Sequence, residues 1–228
     1  VTEADIAVSD FLISKIHGQY PDHHIYSEER VEDINPDGEY SWIIDPIDGT
    51  RNFANGIPLW CVMIAVYQGD EPYLAAIYNP LGGELFFAEA GKGATLNGLP
   101  IKVNNVESLD HGFGIMTRGK DTKFEEEYKR FIVRSVLETS VWIHNFGTIL
   151  SSCYVASGGV DFFVNNSGFD HDYAAAALLC KEACALVTDC EGKPWVRGRR
   201  DIVIANPKLH DKILAMFNPL NPRSIHYY

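Results

Sequence analysis

The chain has 228 residues, with 31 acidic side chains against 19 Lys and Arg and a formal charge of −12. That length supports one compact unit or two closely packed subdomains around a substantial core. The negative charge repels nucleic-acid phosphate, so no nucleic-acid partner is expected. No apolar run approaches the roughly 20 residues that cross a bilayer, and no basic segment with an apolar stretch follows Val1, so no membrane partner and a cytoplasmic location are expected. The sequence opens without methionine and directly in a helical pattern, so a preceding segment is expected as well. Cys61, Cys153, Cys180, Cys184 and Cys190 are odd in number and lack CxxC spacing, which predicts reduced, buried thiols.

In residues 2–19, Val8, Leu12 and Ile16 recur four apart, with Gly18 and Pro21 behind them, which predicts a helix. Thr2 and Asp5 have the spacing of a capping box. Residues 25–27 are strand-like, and runs at 40–45, 60–67, 73–78 and 84–88, separated by Gly, Pro, Asn and Asp, predict an antiparallel meander. Beyond about residue 112, strands at 113–117, 141–144 and 160–164 alternate with helices at 124–138 and 148–157. A helix at 173–185, a strand at 202–205 and a helix at 207–217 complete the pattern. The expected fold class is mixed α and β, with an antiparallel-sheet N-terminal α+β part (1–111) and an α/β C-terminal part (112–228).

The most informative stretch runs WIIDPIDGTRNF from Trp42 to Phe53. An apolar strand meets Asp45 and Asp48 three residues apart, expected to project both carboxylates from one tight turn, with Pro46 fixing its own φ and Gly49 allowing close backbone approach to a ligand. Two carboxylates that close repel unless a cation neutralises them, although an Asp-rich turn can also serve as a plain cap. Glu28 and Glu29 follow the strand at 25–27, and Asp172 opens an alanine-rich helix, where it can act as ligand or as N-terminal cap. The set is all oxygen, with only His171 nearby, so magnesium suits it better than zinc. The basic run from Arg197 to Arg200 reads as a surface loop or as a contact to substrate phosphate.

With these motifs, the VTEAD start, the GKGATLNG segment at 91–98 and DYAAAALLCKEA at 172–183, the chain resembles the inositol monophosphatase family, related to fructose-1,6-bisphosphatases and 3'-phosphoadenosine-5'-phosphate phosphatases. The resemblance implies a layered αβαβα sandwich of the carbohydrate phosphatase type and two or three Mg2+ ions. Glu28, Asp45 and the Ile47 carbonyl would hold one ion; Asp45, Asp48 and Asp172 a second; Glu28 would help a weaker third. Gly49 and Thr50 amides would receive the phosphate, and Asp5 with Thr50 would orient and deprotonate the attacking water; Glu28 is also counted as catalytic, and Ile47, Asp48 and Asp172 as lining the substrate.

The implied function is a Mg2+-dependent phosphomonoesterase of a small phosphorylated metabolite, working as a homodimer. Alternatives are 3'-phosphoadenosine-5'-phosphate, fructose 1,6-bisphosphate or histidinol phosphate as substrate, or a non-catalytic phosphate-binding regulatory protein. The chain departs from the family pattern in three places. His171 stands where many members have tryptophan, Cys184-Ala185 replaces a glycine pair, and Asn165 and Asn166 stand where inositol-specific members place an acid.

Overall fold

A computed structural model describes residues 1–117 and 125–219. Alternation along the strands decides how its elements layer. In the strand β1 (His24–Ser27) and the long strand β2 (Tyr40–Asp48), Ile25 and Ile44 pack with Ile13 and Ile16 of the helix α1 (Glu3–Gln19). Ile43, one residue from Ile44, points to the other face and joins the main core. Two-residue periodicity thus gives this sheet a helix-covered face on each side.

That sheet has seven strands in chain order: β1, β2, β3 (Cys61–Gln68), β4 (Glu71–Asn79), β5 (Glu84–Glu89), β6 (Ala94–Leu96) and β7 (Leu99–Ile101). From β2 onward every pairing is antiparallel, as the meander pattern indicates, while β1 joins β2 in parallel. The short β6 and β7 lie outside the strand-like runs of the sequence, because three-residue strands in a glycine-rich segment carry no readable alternation.

The second sheet is mixed, in the order β11 (Leu186–Thr188), β12 (Ile202–Ala205), β10 (Phe162–Asn165), β8 (Phe113–Thr117) and β9 (Trp142–His144). Phe163, Ile202 and Ile204 face the main core, while Phe162, Val164 and Val203 face a separate cluster built with Tyr128 and Phe131 of α3 (Glu125–Glu138) and Ile213 of α6 (His210–Ala215). Residue 124, the expected start of α3, lies outside the described residues.

Between the sheets lie α4 (Leu150–Ala156) and α5 (Asp170–Glu182). Residues 173–180 of α5 are buried without interruption, the signature of a helix covered on all sides. Four successive alanines, 174–177, keep it thin enough for both sheets to close on it. The order helix, sheet, helix pair, sheet, helix pair is the layered sandwich that the family resemblance implies. At the C-terminal end of α5, the Glu182 carboxylate accepts from the Gly91 and Gly93 amides at 2.9 and 2.8 Å, which ties the 91–98 segment to the core helix.

The helix α5 begins three residues earlier than its periodicity suggested, because Asp172 caps it from the third position: the Phe169 N–H donates to Asp172 Oδ2 at 2.6 Å. At its other end Cys184 is exposed with φ +68°, in the left-handed region that favours glycine. A non-glycine residue there costs about 1 kcal/mol. Cys184→Gly is therefore expected to raise the melting temperature by about 2–4 °C; no rise in differential scanning calorimetry would contradict the strain.

Candidate active site

The two acids of the WIIDPIDGT motif do not leave a tight turn, contrary to the sequence expectation. The strand β2 continues through Asp48, which pairs with Cys61, while Asp45 pairs with Met63. Three steps on one strand therefore match two on the other, a one-residue bulge at Pro46 and Ile47, where the proline nitrogen has no ladder hydrogen to give. In a regular strand, residues three apart face opposite sides. The extra residue cancels that offset, and Asp45 and Asp48 come together.

Asp172, projected from the start of α5, joins them: one oxygen from each of Asp45, Asp48 and Asp172 lies within 4.8 Å of the others. Glu28 falls outside this tight trio. It follows β1, its amide donates to the Ile44 carbonyl at 3.1 Å, and its charge acts on Asp45. Glu29, its neighbour in sequence, does not line the adjoining cleft.

Asp45 is 2 % exposed, and its Oδ1 has no hydrogen-bond partner. Burial, then the charges of Asp48, Glu28 and Asp172, drives its carboxyl well above the usual carboxylate range. Asp48 is pushed up to about 7 by burial, although Thr148 Oγ1, the Ile149 amide (2.6 Å) and Cys61 Sγ (3.6 Å) all donate to its Oδ2 and oppose the rise. Asp172 is raised to about 6, again mainly by burial, with the Phe169 N–H and Arg200 pulling the other way. A buried carboxylate oxygen left without a donor, among converging acids, fits a hard divalent cation. No histidine or cysteine belongs to the trio, which favours magnesium over zinc.

Asp5 is fully buried and serves two neighbours. Its Oδ2 accepts from the Thr2 amide (2.5 Å) and hydroxyl (2.6 Å), the capping role, and its Oδ1 accepts from Thr50 Oγ1 at 3.3 Å. Thr50 also lies 3.1 Å from the Ile47 carbonyl. Gly49 has φ +87°, and a Cβ there would stand 3.0 Å from the Leu59 carbonyl, so both its conformation and its space require glycine. Gly49 and Thr50 open the short helix α2 (Thr50–Ala54) on the wall of a cleft of about 510 Å3 that also takes in Glu28, Asp45, Ile47, Asp48 and Asp172.

Sequence reasoning missed several supports. Thr148 and Ile149 orient Asp48 from about 100 residues away in the chain, a contact with no local signal. Asn52 ties the motif to the same loop, donating to the Leu59 and Phe146 carbonyls at 2.7 Å. Arg51 lines the cleft, though its place inside the motif made it visible. Asn165 and Asn166 are buried and do not line the cleft, and Asn165 accepts from its neighbour Ser167 instead.

A family model described as the inositol monophosphatase family matches residues 1–220. The chain belongs to that family. It is 34% identical over 218 residues to Nus factor SuhB of Salmonella typhimurium, covering 94% of this chain and 81% of that protein. It is 33% identical over 218 residues to the fructose-1,6-bisphosphatase/inositol-1-monophosphatase of Thermotoga maritima, covering 96% and 82%. The solved structure of extragenic suppressor protein suhB from Bartonella henselae superposes with a TM-score of 0.89 at 30% identity, over 96% of this chain and 84% of that one.

The tryptophan-to-histidine departure from the inositol monophosphatase family pattern lies directly behind the trio. His171 is 9 % exposed, its Nδ1 is 2.9 Å from the Tyr26 hydroxyl, and its Nε2 is 3.5 Å from Asp172 and 3.8 Å from Glu28. Burial holds its pKa below the ordinary histidine value, against the pull of Glu28 and Asp170. Among the described residues no helix is long and apolar enough to cross a membrane.

Proposed function

We propose that this inositol monophosphatase family member is a magnesium-dependent phosphomonoesterase acting on a small phosphorylated metabolite. The observation that carries the reading is the unpartnered, buried oxygen of Asp45 at the centre of the acidic trio, beside a cleft walled by Gly49 and Thr50. Glu28, Asp45 and the Ile47 carbonyl would hold one ion, and Asp45, Asp48 and Asp172 another. Mg2+ held there would supply a lowered pKa for bound water and positive charge against the phosphate and leaving-group oxygens.

The chain's own groups do the rest. The Gly49 and Thr50 amides receive the phosphate oxygens, and Thr50 Oγ1, already hydrogen-bonded to Asp5, accepts the proton of the attacking water and passes its own to the Asp5 carboxylate. Water oxygen then bonds to phosphorus opposite the ester oxygen, the P–O ester bond breaks, the alkoxide takes a proton from solvent water, and Asp5 returns its proton to solvent, which restores the starting charge. Glu28 assists by fixing water beside Asp45.

The likeness to a Thermotoga maritima protein named for both fructose-1,6-bisphosphatase and inositol-1-monophosphatase supports an inositol or sugar phosphate as substrate. The test is phosphate release from a panel holding inositol phosphate, fructose 1,6-bisphosphate, histidinol phosphate and 3'-phosphoadenosine-5'-phosphate, with Mg2+ and with chelator. Mg2+-dependent release from at least one is expected. A second reading, a non-catalytic phosphate-binding regulator, is supported by the likeness to proteins named Nus factor SuhB, and silence across the whole panel would favour it.

A further inference from the structure

We propose that His171 Nε2 and a Glu28 carboxylate oxygen form a second kind of cation position beside the acidic trio, one that takes a borderline transition ion such as Zn2+ in preference to Mg2+. This rests on the cation centre of the phosphatase reading above and adds a nitrogen donor that the trio of Asp45, Asp48 and Asp172 lacks. His171 is buried, and its ring is held on two sides. The Tyr26 hydroxyl lies 2.9 Å from Nδ1, and Phe169 stacks on the imidazole with centroids 5.5 Å apart and planes 24° apart. Nε2 makes no hydrogen bond among the described residues. What it meets is two carboxylates, Asp172 Oδ2 at 3.5 Å and Glu28 Oε1 at 3.8 Å.

A histidine that simply pairs with an acid closes to hydrogen-bond distance, as His24 Nε2 does with Asp33 at 2.8 Å in this chain. The His171 contacts stop short of that, at separations that leave room for an ion about 2.1 Å from each donor. The other ring nitrogen completes the arrangement. With Nδ1–H donating to the Tyr26 oxygen, the Nε2 lone pair faces the two acids, and a ring whose second nitrogen is anchored in this way is preorganised as a metal ligand. Of the two acids, Asp172 already uses Oδ2 to accept the Phe169 N–H at 2.6 Å. The Glu28 side chain is 37 % exposed and free to close onto an ion. Imidazole nitrogen suits ions of the zinc kind, whereas Mg2+ takes oxygen donors. The trio and the Glu28–His171 pair therefore differ in the ion each prefers.

The test is a Zn2+ titration in excess Mg2+, followed by calorimetry and by NMR of protein carrying 15N-labelled histidine. One equivalent of Zn2+ is expected to move a single imidazole Nε2 resonance to the metal-bound position. In His171→Phe, which keeps the ring that stacks on Phe169, that shift should be absent and the Kd for Zn2+ at least tenfold weaker. Tyr26→Phe frees Nδ1 without touching the ligands and should weaken Zn2+ about tenfold, a result that stands even if His171→Phe does not fold. A shift that persists in His171→Phe, or a Kd unchanged in both variants, overturns the proposal. Zn2+ bound with no imidazole shift also overturns it while leaving the cation centre in place. Failure of the wild-type protein to bind either Mg2+ or Zn2+ removes the cation centre and this proposal together.

Discussion

Asp45→Asn is expected to lower kcat/KM for any hydrolysed monoester by about 10^3-fold or more, equivalent to about 4 kcal/mol of transition-state stabilisation, without unfolding the protein. Asp45 is the acid common to both proposed ion sites, and its Oδ1 has no protein donor to compensate the loss of a cation. The amide keeps the shape of the side chain but removes a charge that burial and three neighbouring acids oppose. The metal-free variant should therefore melt at or above the metal-free wild type, and Mg2+ should raise its melting temperature far less. Activity within tenfold of wild type would remove Asp45 from the site.

The metal-free protein should lose stability as pH rises from about 4 to about 7, and Mg2+ should reverse that loss. In the unfolded chain an aspartate gives up its proton near pH 3.9. In the fold, burial keeps the proton on Asp172 up to about 6 and on Asp48 up to about 7. A folded pKa above the unfolded one means that the folded state binds more protons in between. The stabilisation is complete below about pH 4 and is lost as pH climbs through 6–7, at about 1.4 kcal/mol for each pH unit over which one such group stays protonated only in the fold. Magnesium competes with those protons. The rise in melting temperature on adding Mg2+ should be small at pH 5 and several degrees at pH 8; an equal or larger rise at pH 5 would contradict the ion site.

Much of this architecture is written in local pattern. Strand alternation gave the β2–β5 meander, the four-residue recurrence of Val8, Leu12 and Ile16 gave α1, and the alanines at 174–177 marked a helix fit for the interior. The acids of the trio were also legible, since each stands at the end of a recognisable apolar element. What could not be read was how Asp45 and Asp48 reach the same side. That depends on a bulge whose register is set by pairing with Cys61 and Met63, a tertiary choice that overrides the turn chemistry of Pro46 and Gly49. The supports from Thr148 and Ile149 are hidden for the same reason.

The most direct measurement is anomalous diffraction from crystals soaked in Mn2+, a spectroscopically heavy substitute for Mg2+ with the same preference for oxygen. A peak bridging the carboxylates of Asp45, Asp48 and Asp172, displaced by excess Mg2+, is the expected result. Well-ordered carboxylates with no peak between them at millimolar Mn2+ would contradict the metal centre and the hydrolytic chemistry built on it.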